Sequence, residues 1–398
     1  MKEFTLAGGA RLFPNPHALP LSTLYPEALK PILSLEAHAQ AWAGITAWPG
    51  YAATPLHRLD GLAKTLGLAR IDCKDESRRF GLGSFKALGG AWAVAQLLQR
   101  ESHRPAHEIT VACATDGNHG RSVAWGAQQM GCRCVITIHE NVSAAREAAI
   151  AQYGARVVRV PGNYDDAVRH AAGQAAREGH TIISDTSWPG YMDVPRDVMQ
   201  GYTIMVQEAL DQLDNDALPT HVFIQAGVGG LAAAICAHLW ERCGAQRPRI
   251  IVAEPLQAAC LYESARAGRP QVVKGSLDTA MAGLACGEVS LLAWEVLRPG
   301  AQAFMQVPDA EALACMRLLA EPAGTDVPVV AGESAVAGLA ACRLALADPA
   351  AREVLALDAD SRLLVFSSEG DTDPGLYETI VGRSAEAVRK SVRGSCPE

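Results

Sequence analysis

The chain has 398 residues, 49% of them hydrophobic and 20% charged, with a net charge of −8. The length is enough for two domains, and the composition is that of an ordinary globular protein, which excludes a disordered chain. The acidic balance, with no basic face to set against phosphates, excludes a general nucleic-acid binder.

From the N-terminus, MKEFTLAGGARLFPNPHALP is broken by charges and prolines before an apolar run can form. No signal peptide is expected, and the compartment reads as cytoplasmic. The first 50 residues show few clear periods and are expected to wrap a larger body. Residues 75–92, DESRRFGLGSFKALGGAW, place one lysine, Lys86, at the entrance to a helix of small residues. Gly89, Gly90 and Ala91 read as a helix start that lets a flat ring come close. Alternation then begins. Strands are expected at 109–115, 133–139, 155–161, 180–184, 220–225, 249–254 and 362–368, with helices at 120–130, 143–154 and 164–179. Strands separated by helices of this length imply right-handed βαβ units and mostly parallel sheets. The dense cadence over 109–184 marks a small subdomain, and the chain before and after it is expected to share a second sheet.

The most apolar window, residues 222–240, contains Gln225, His238 and three glycines. It reads as a buried strand, turn and helix, so no membrane span is expected. Eleven cysteines are scattered without a framework, and Cys132 and Cys134 have no second close pair. No metal site is expected, and most of these thiols read as reduced and buried.

Two strand-to-helix turns carry chemistry. After 220–225 come Gly227, Val228, Gly229 and Gly230. Such glycines let backbone N–H groups converge on an anion at a helix N-terminus. The spacing through Ala232, with Glu254 ending the next strand, also fits a dinucleotide fingerprint, so an NAD-dependent oxidoreductase stays open at this point. After 109–115 come Thr115, Asp116, Gly117, Asn118, His119 and Gly120. The same helix-start logic suits a carboxylate or phosphate, with an acid, an amide and an imidazole added. Helix capping by Asp116 and a satisfied His119 are the plain alternatives. A lysine beside a phosphate cup points to pyridoxal phosphate, whose aldehyde condenses with an amine.

In this order Ser84-Phe85-Lys86, the 115–120 loop, the 227–230 turn and SSEGDTD at 367–373 resemble the tryptophan-synthase-like (fold type II) pyridoxal phosphate enzymes. The narrower wording of KDESRRFGLGSFKALGGAWA, TDGNHGRSVAW, NYDDAV, DTSWPGY, MAGLACGE and SSEGDTD resembles the diaminopropionate ammonia-lyase branch. The wider dehydratase group usually carries a small residue where this chain has Asp116.

The resemblance implies an α/β fold of two domains, each with an open, mostly parallel, twisted sheet flanked by helices. Residues 1–88 and 199–398 would form the large cofactor-binding domain and 89–198 the small one, with the active site in the cleft between them. It implies pyridoxal 5'-phosphate held by Lys86. Gly227, Val228, Gly229 and Gly230 would take its phosphate, Asn118 the 3'-oxygen, and Ser367 the ring nitrogen. The amino-acid substrate, 2,3-diaminopropionate in D and L forms, would rest its carboxylate on the backbone of 115–119, touching Thr115, Asp116, Gly117 and His119. Lys86 and Asp116 would exchange protons at Cα, with cationic surroundings and burial lowering the pKa of Lys86. Asp185 is a further substrate-binding candidate, or else a turn cap. Glu333 resembles a cofactor-proximal segment, whereas Tyr164 and Trp188 read as packing. A β-hydroxy amino acid as substrate is the alternative. A homodimer is expected.

Overall fold

The computed structural model describes residues 3–115, 117–214 and 218–391, with Asp165 described in its backbone alone. Its strands are β1 (Phe4–Thr5), β2 (Arg11–Pro14), β3 (Leu56–Arg58), β4 (Arg70–Asp75), β5 (Thr110–Ala114) and β6 (Arg133–His139). They continue as β7 (Arg156–Val160), β8 (Thr181–Ile182), β9 (His221–Gln225), β10 (Arg249–Pro255), β11 (Ala303–Val307) and β12 (Arg362–Ser367). The larger sheet runs β1-β2-β11-β10-β9-β12-β4-β3 and the smaller one β7-β6-β5-β8. The smaller sheet is parallel throughout. In the larger, β11 to β4 are parallel, and β1, β2 and β3 join antiparallel at the edges. This is the α/β architecture with two mostly parallel sheets that the periodicity implies. Central strands such as HVFIQ are buried along their whole length, so they read as continuous apolar runs.

Some elements depart from expectation. The N-terminal stretch does more than wrap: β2 pairs with β11, Phe13 facing Phe304. β4, RIDCKD, carries charges that hide its strand character, yet it lies inside the sheet. Its Lys74 is fully buried against Glu208 at 2.8 Å, and Arg79 bridges Glu76 and Glu208 at 2.8 and 2.7 Å. The small residues after Lys86 serve helix packing and not a flat ring. A Cβ on Gly89 would stand 2.4 Å from the Tyr202 ring, and one on Gly90 2.3 Å from the Ser122 hydroxyl. Helix Lys86–Arg100 is thus pressed between helices Asn118–Met130 and Asp193–Gln212.

Both sheets reverse their direction of growth, and those reversals place the site. From β9 the chain steps outward through β10 to β11, while β12 returns on the other side of β9. From β5 it steps through β6 to β7, while β8 returns on the other side of β5. At such switch points the turns leaving adjacent strands diverge and open a crevice beyond the C-terminal strand ends. The turns there are 226–230 and 368–370 in one sheet, and the one carrying Thr115 and Gly117 and the one at 183–186 in the other. No described helix is long and apolar enough to cross a membrane. Among the described residues no cluster of three or more His, Cys, Asp or Glu is placed to hold a metal ion.

Candidate active site

The four turns line one cavity of about 590 Å³, a volume suited to a small ligand. A depression of about 780 Å³ at the opposite strand ends, around Thr220, Arg249 and Arg362, contains none of these groups.

Lys86 opens its helix on the cavity wall, and its Nζ donates to Asp185, which follows β8. Burial disfavours the charge on Lys86. The Asp185 carboxylate, with Tyr202 and Cys286 nearby, outweighs that and holds the amine above its ordinary pKa. Burial likewise disfavours the Asp185 anion, but Lys86 and then His119 hold it well below the usual carboxylate range. The expectation that cationic surroundings would lower the pKa of Lys86 is therefore corrected. The charge that meets it is an anion 99 positions along the chain. Sequence reading left Asp185 between a site role and a turn cap, and the structure brings it to the lysine.

In the 115–120 loop, Thr115, Gly117, Asn118 and His119 all line the cavity. Asp116 lies outside the described residues. The Thr115 hydroxyl accepts from the N–H groups of Gly117 and Gly120, both at 3.0 Å, so these two donors face inward. The proposed backbone cradle is correspondingly narrower than the turn suggests. His119 Nε2 lies 2.8 Å from the Ile183 carbonyl and must donate to it, which leaves Nδ1 buried without a partner among the described residues. Burial, then the Lys86 charge, lower its pKa, so the ring is neutral. Asn118 donates through Nδ2 to Glu369, whose other oxygen accepts the Ser334 N–H at 3.1 Å.

The glycine turn also faces the cavity. Gly229 adopts φ +100°, a left-handed conformation that glycine tolerates, and caps helix Gly230–Cys243. A Cβ on Gly227 would come within 2.9 Å of Cys286 Sγ. The turn is thus a shallow cup whose side-chain space is already taken, with the unpaired N–H groups of a helix start at its rim. Glu254 is no ribose ligand. Fully buried, it accepts the N–H groups of Leu261 and Tyr262 at 2.8 and 2.7 Å, and burial raises its pKa to about 8.

At the end of β12 two hydroxyls stand side by side, Ser367 and Ser368. Ser368 lines the cavity and accepts from Gln225 Nε2 at 2.7 Å. Ser367 is buried beside it, its hydroxyl without a partner among the described residues and outside the cavity wall. Successive side chains on a strand leave opposite faces, which separates the two. Tyr164 and Trp188, read as packing, stand 39% and 43% exposed at the cavity mouth. Sequence reasoning missed Tyr202, whose ring lies 5.9 Å from Lys86 Nζ, and Arg146, paired with Glu333 at 3.1 Å. Neither carries a local signal, since each sits in an ordinary helical pattern.

Residues 47–358 match the family model described as "Pyridoxal-phosphate dependent enzyme". The diaminopropionate ammonia-lyase of Salmonella typhimurium is 41% identical, over 84% of this chain and 90% of its own length. That of Escherichia coli is 40% identical, over 85% and 89%.

The chain belongs to the diaminopropionate ammonia-lyase family of pyridoxal-phosphate dependent enzymes.

The crystal structure of the holo E. coli enzyme superposes with a TM-score of 0.87 at 37% identity, covering 96% of this chain and 98% of that one. The same enzyme in complex with D-serine gives 0.87 at 36%, covering 97% and 100%. Membership in the family implies the cofactor, and this cavity fits it. Lys86 lies beside a glycine cup that a side chain would obstruct, and two serine hydroxyls end the adjacent strand.

Proposed function

We propose that the protein eliminates ammonia from 2,3-diaminopropionate, in both D and L forms, and that the released 2-aminoacrylate is hydrolysed by water to pyruvate and a second ammonia. The observation that carries this reading is the Lys86–Asp185 contact at the junction of the two switch points. Lys86 would hold the cofactor, Gly227, Val228, Gly229 and Gly230 its phosphate, Asn118 its 3'-oxygen, and a hydroxyl of Ser367 or Ser368 its ring nitrogen. When bound, pyridoxal phosphate supplies the electron sink that makes a Cα proton removable.

The chain's own residues do the rest. The Lys86 amine takes the Cα proton on one face, and a carboxylate, Asp116 or Asp185, serves the other. Asp185 loses its ammonium partner when the Lys86 nitrogen is engaged, and its charge is then available to the substrate's β-ammonium. Thr115, Gly117 and His119 face the same space and bound the substrate. Trp188, stacked on Tyr191 at 4.1 Å, and Tyr164 narrow the mouth and limit water. Residues 1–88 with 199–398, and 89–198, are proposed as the two domains, in keeping with strands that divide between the two sheets in that order. A cytoplasmic homodimer completes the proposal.

Pyruvate release from D- and L-diaminopropionate, serine and threonine tests it, in wild type, K86A and D116N. Both diaminopropionate isomers are expected to turn over fastest. K86A should lose activity and the visible absorbance of bound cofactor. D116N should lose roughly 10²–10⁴-fold on one isomer and less on the other. Turnover of serine or threonine without diaminopropionate would sink the substrate assignment.

A further inference from the structure

One polar group in the cavity wall is left over by the chemistry above. Tyr202, in helix Asp193–Gln212, is 1% exposed, and its hydroxyl has no hydrogen-bond partner among the described residues. Burying a hydroxyl unpaired is costly, so a group kept this way points to a partner that arrives later. Its neighbours are shaped to admit it. Lys86 and Gly89 lie three residues apart, on one face of their helix. A Cβ on Gly89 would stand 2.4 Å from Cε1 of the Tyr202 ring and 2.8 Å from Cζ, the carbon that bears the hydroxyl. The phenol thus takes the space of a side chain at 89, and its hydroxyl end reaches the turn that Lys86 opens. Phe85 packs on the same ring with centroids 4.6 Å apart, and Lys86 Nζ lies 5.9 Å from the ring centroid. In this arrangement the nitrogen donates to Asp185, and the phenol stands unused beside it.

We propose that the Tyr202 hydroxyl is the second resting place of the Lys86 amine, bonding the nitrogen once the substrate's own amine has displaced it from the cofactor. This rests on the role proposed above for Lys86. The displaced amine has to stay near, because it takes the Cα proton and later returns to the cofactor. Asp185 cannot both hold it and serve the substrate's β-ammonium. A carboxylate also bonds only the ammonium form and so fixes the proton there. The phenol has neither defect. Burial raises its pKa against the opposing charge of Lys86, so it stays neutral. A neutral phenol donates to a free amine and accepts from an ammonium, and it serves the nitrogen before and after proton transfer. Tyr202 is in this sense a positioning residue, acting on the substrate through Lys86.

The probe is the adduct of pyridoxal phosphate and alanine, reduced to a stable secondary amine. It fills the cofactor and substrate spaces together and leaves the Lys86 amine displaced. Its dissociation constant is measured by calorimetry on full-length apoenzyme of wild type, Y202F, K86A and the double variant. Y202F should bind the adduct roughly 3- to 10-fold more weakly than wild type. In the K86A background the same substitution should change nothing, because the amine that uses the hydroxyl is gone. Without adduct, Y202F should melt no lower than wild type, since the hydroxyl it loses has no partner there. Y202M, which removes hydroxyl and ring alike, should bind no tighter than Y202F. Equal adduct affinity in wild type and Y202F overturns the proposal. So does equal weakening by Y202F with and without Lys86, which would put the hydroxyl on the adduct itself. A lower melting temperature of Y202F without adduct would make the hydroxyl a structural bond and overturn it too. Failure of wild type to bind the adduct would instead overturn the role of Lys86 and its cavity.

Discussion

Replacing Asp185 by asparagine separates the two tasks assigned to that carboxylate. The Lys86 and Asp185 side chains are 22% and 18% exposed, so their attraction belongs to a partly screened interior. At an effective dielectric near 20, opposite charges 4 Å apart attract by about 4 kcal/mol. That is close to three factors of ten in the ratio of ammonium to free amine. Asp185→Asn removes the attraction and leaves the burial of Lys86, which favours the neutral amine. Only the neutral amine attacks the cofactor aldehyde. Loading of apoenzyme, followed by visible absorbance from about pH 6 to 9, should therefore be faster in D185N. The gain should approach about 1000-fold at neutral pH if the full attraction is lost. Elimination by the loaded variant should fall roughly 10²–10⁴-fold, because the carboxylate facing the substrate is gone. Loading rates in D185N within about threefold of wild type across that range would refute the electrostatic reasoning, since the charge would then not govern the amine.

Two further outcomes follow from buried groups away from the reaction. His38 and His238 meet edge to face with ring centroids 4.5 Å apart, and burial lowers their pKa values from 6.5 to about 4 and about 3. Both are neutral when folded and protonate more readily when unfolded. Stability is thus complete above about pH 6.5 and declines as pH falls from there toward 4, and thermal melts of H38N/H238Q should lose part of that slope. Arg79 is 1% exposed and bonds Glu76 and Glu208, so Arg79→Ala strands buried carboxylates. Denaturant unfolding should show a loss of about 3–5 kcal/mol, and a loss under 1 kcal/mol (about what a surface pair contributes) would contradict the burial argument.

Much of this was legible beforehand, for local reasons. Strands β5 to β7 and β9, β10 and β12 announce themselves because apolar, β-branched runs alternate with alanine-rich amphipathic helices. Helix Asn118–Met130 begins two residues before the sequence expectation, because the Asn-His pair already lies in its first turn. β4 was hidden because its charges find partners in space: Lys74 meets Glu208, more than 130 positions away, Arg70 meets Asp72 and Asp214, and Asp75 meets His57. The first 50 residues gave no period because β1 and β2 are edge strands of two and four residues.

The same division runs through the site. Residue types and spacing determined that a lysine, an Asn-His loop and a glycine cup occur in order at strand-to-helix turns, since those choices answer to local backbone geometry. Which side chains then meet was decided only in three dimensions. Asp185 reaches Lys86, Arg146 reaches Glu333, and Ser368 rather than Ser367 faces the cavity. These pairings depend on how the C-terminal strand ends of the two sheets face one cavity at their switch points. An ion pair or a buried hydroxyl is selected by distance and dielectric in that junction, and neither leaves a trace in the neighbouring sequence.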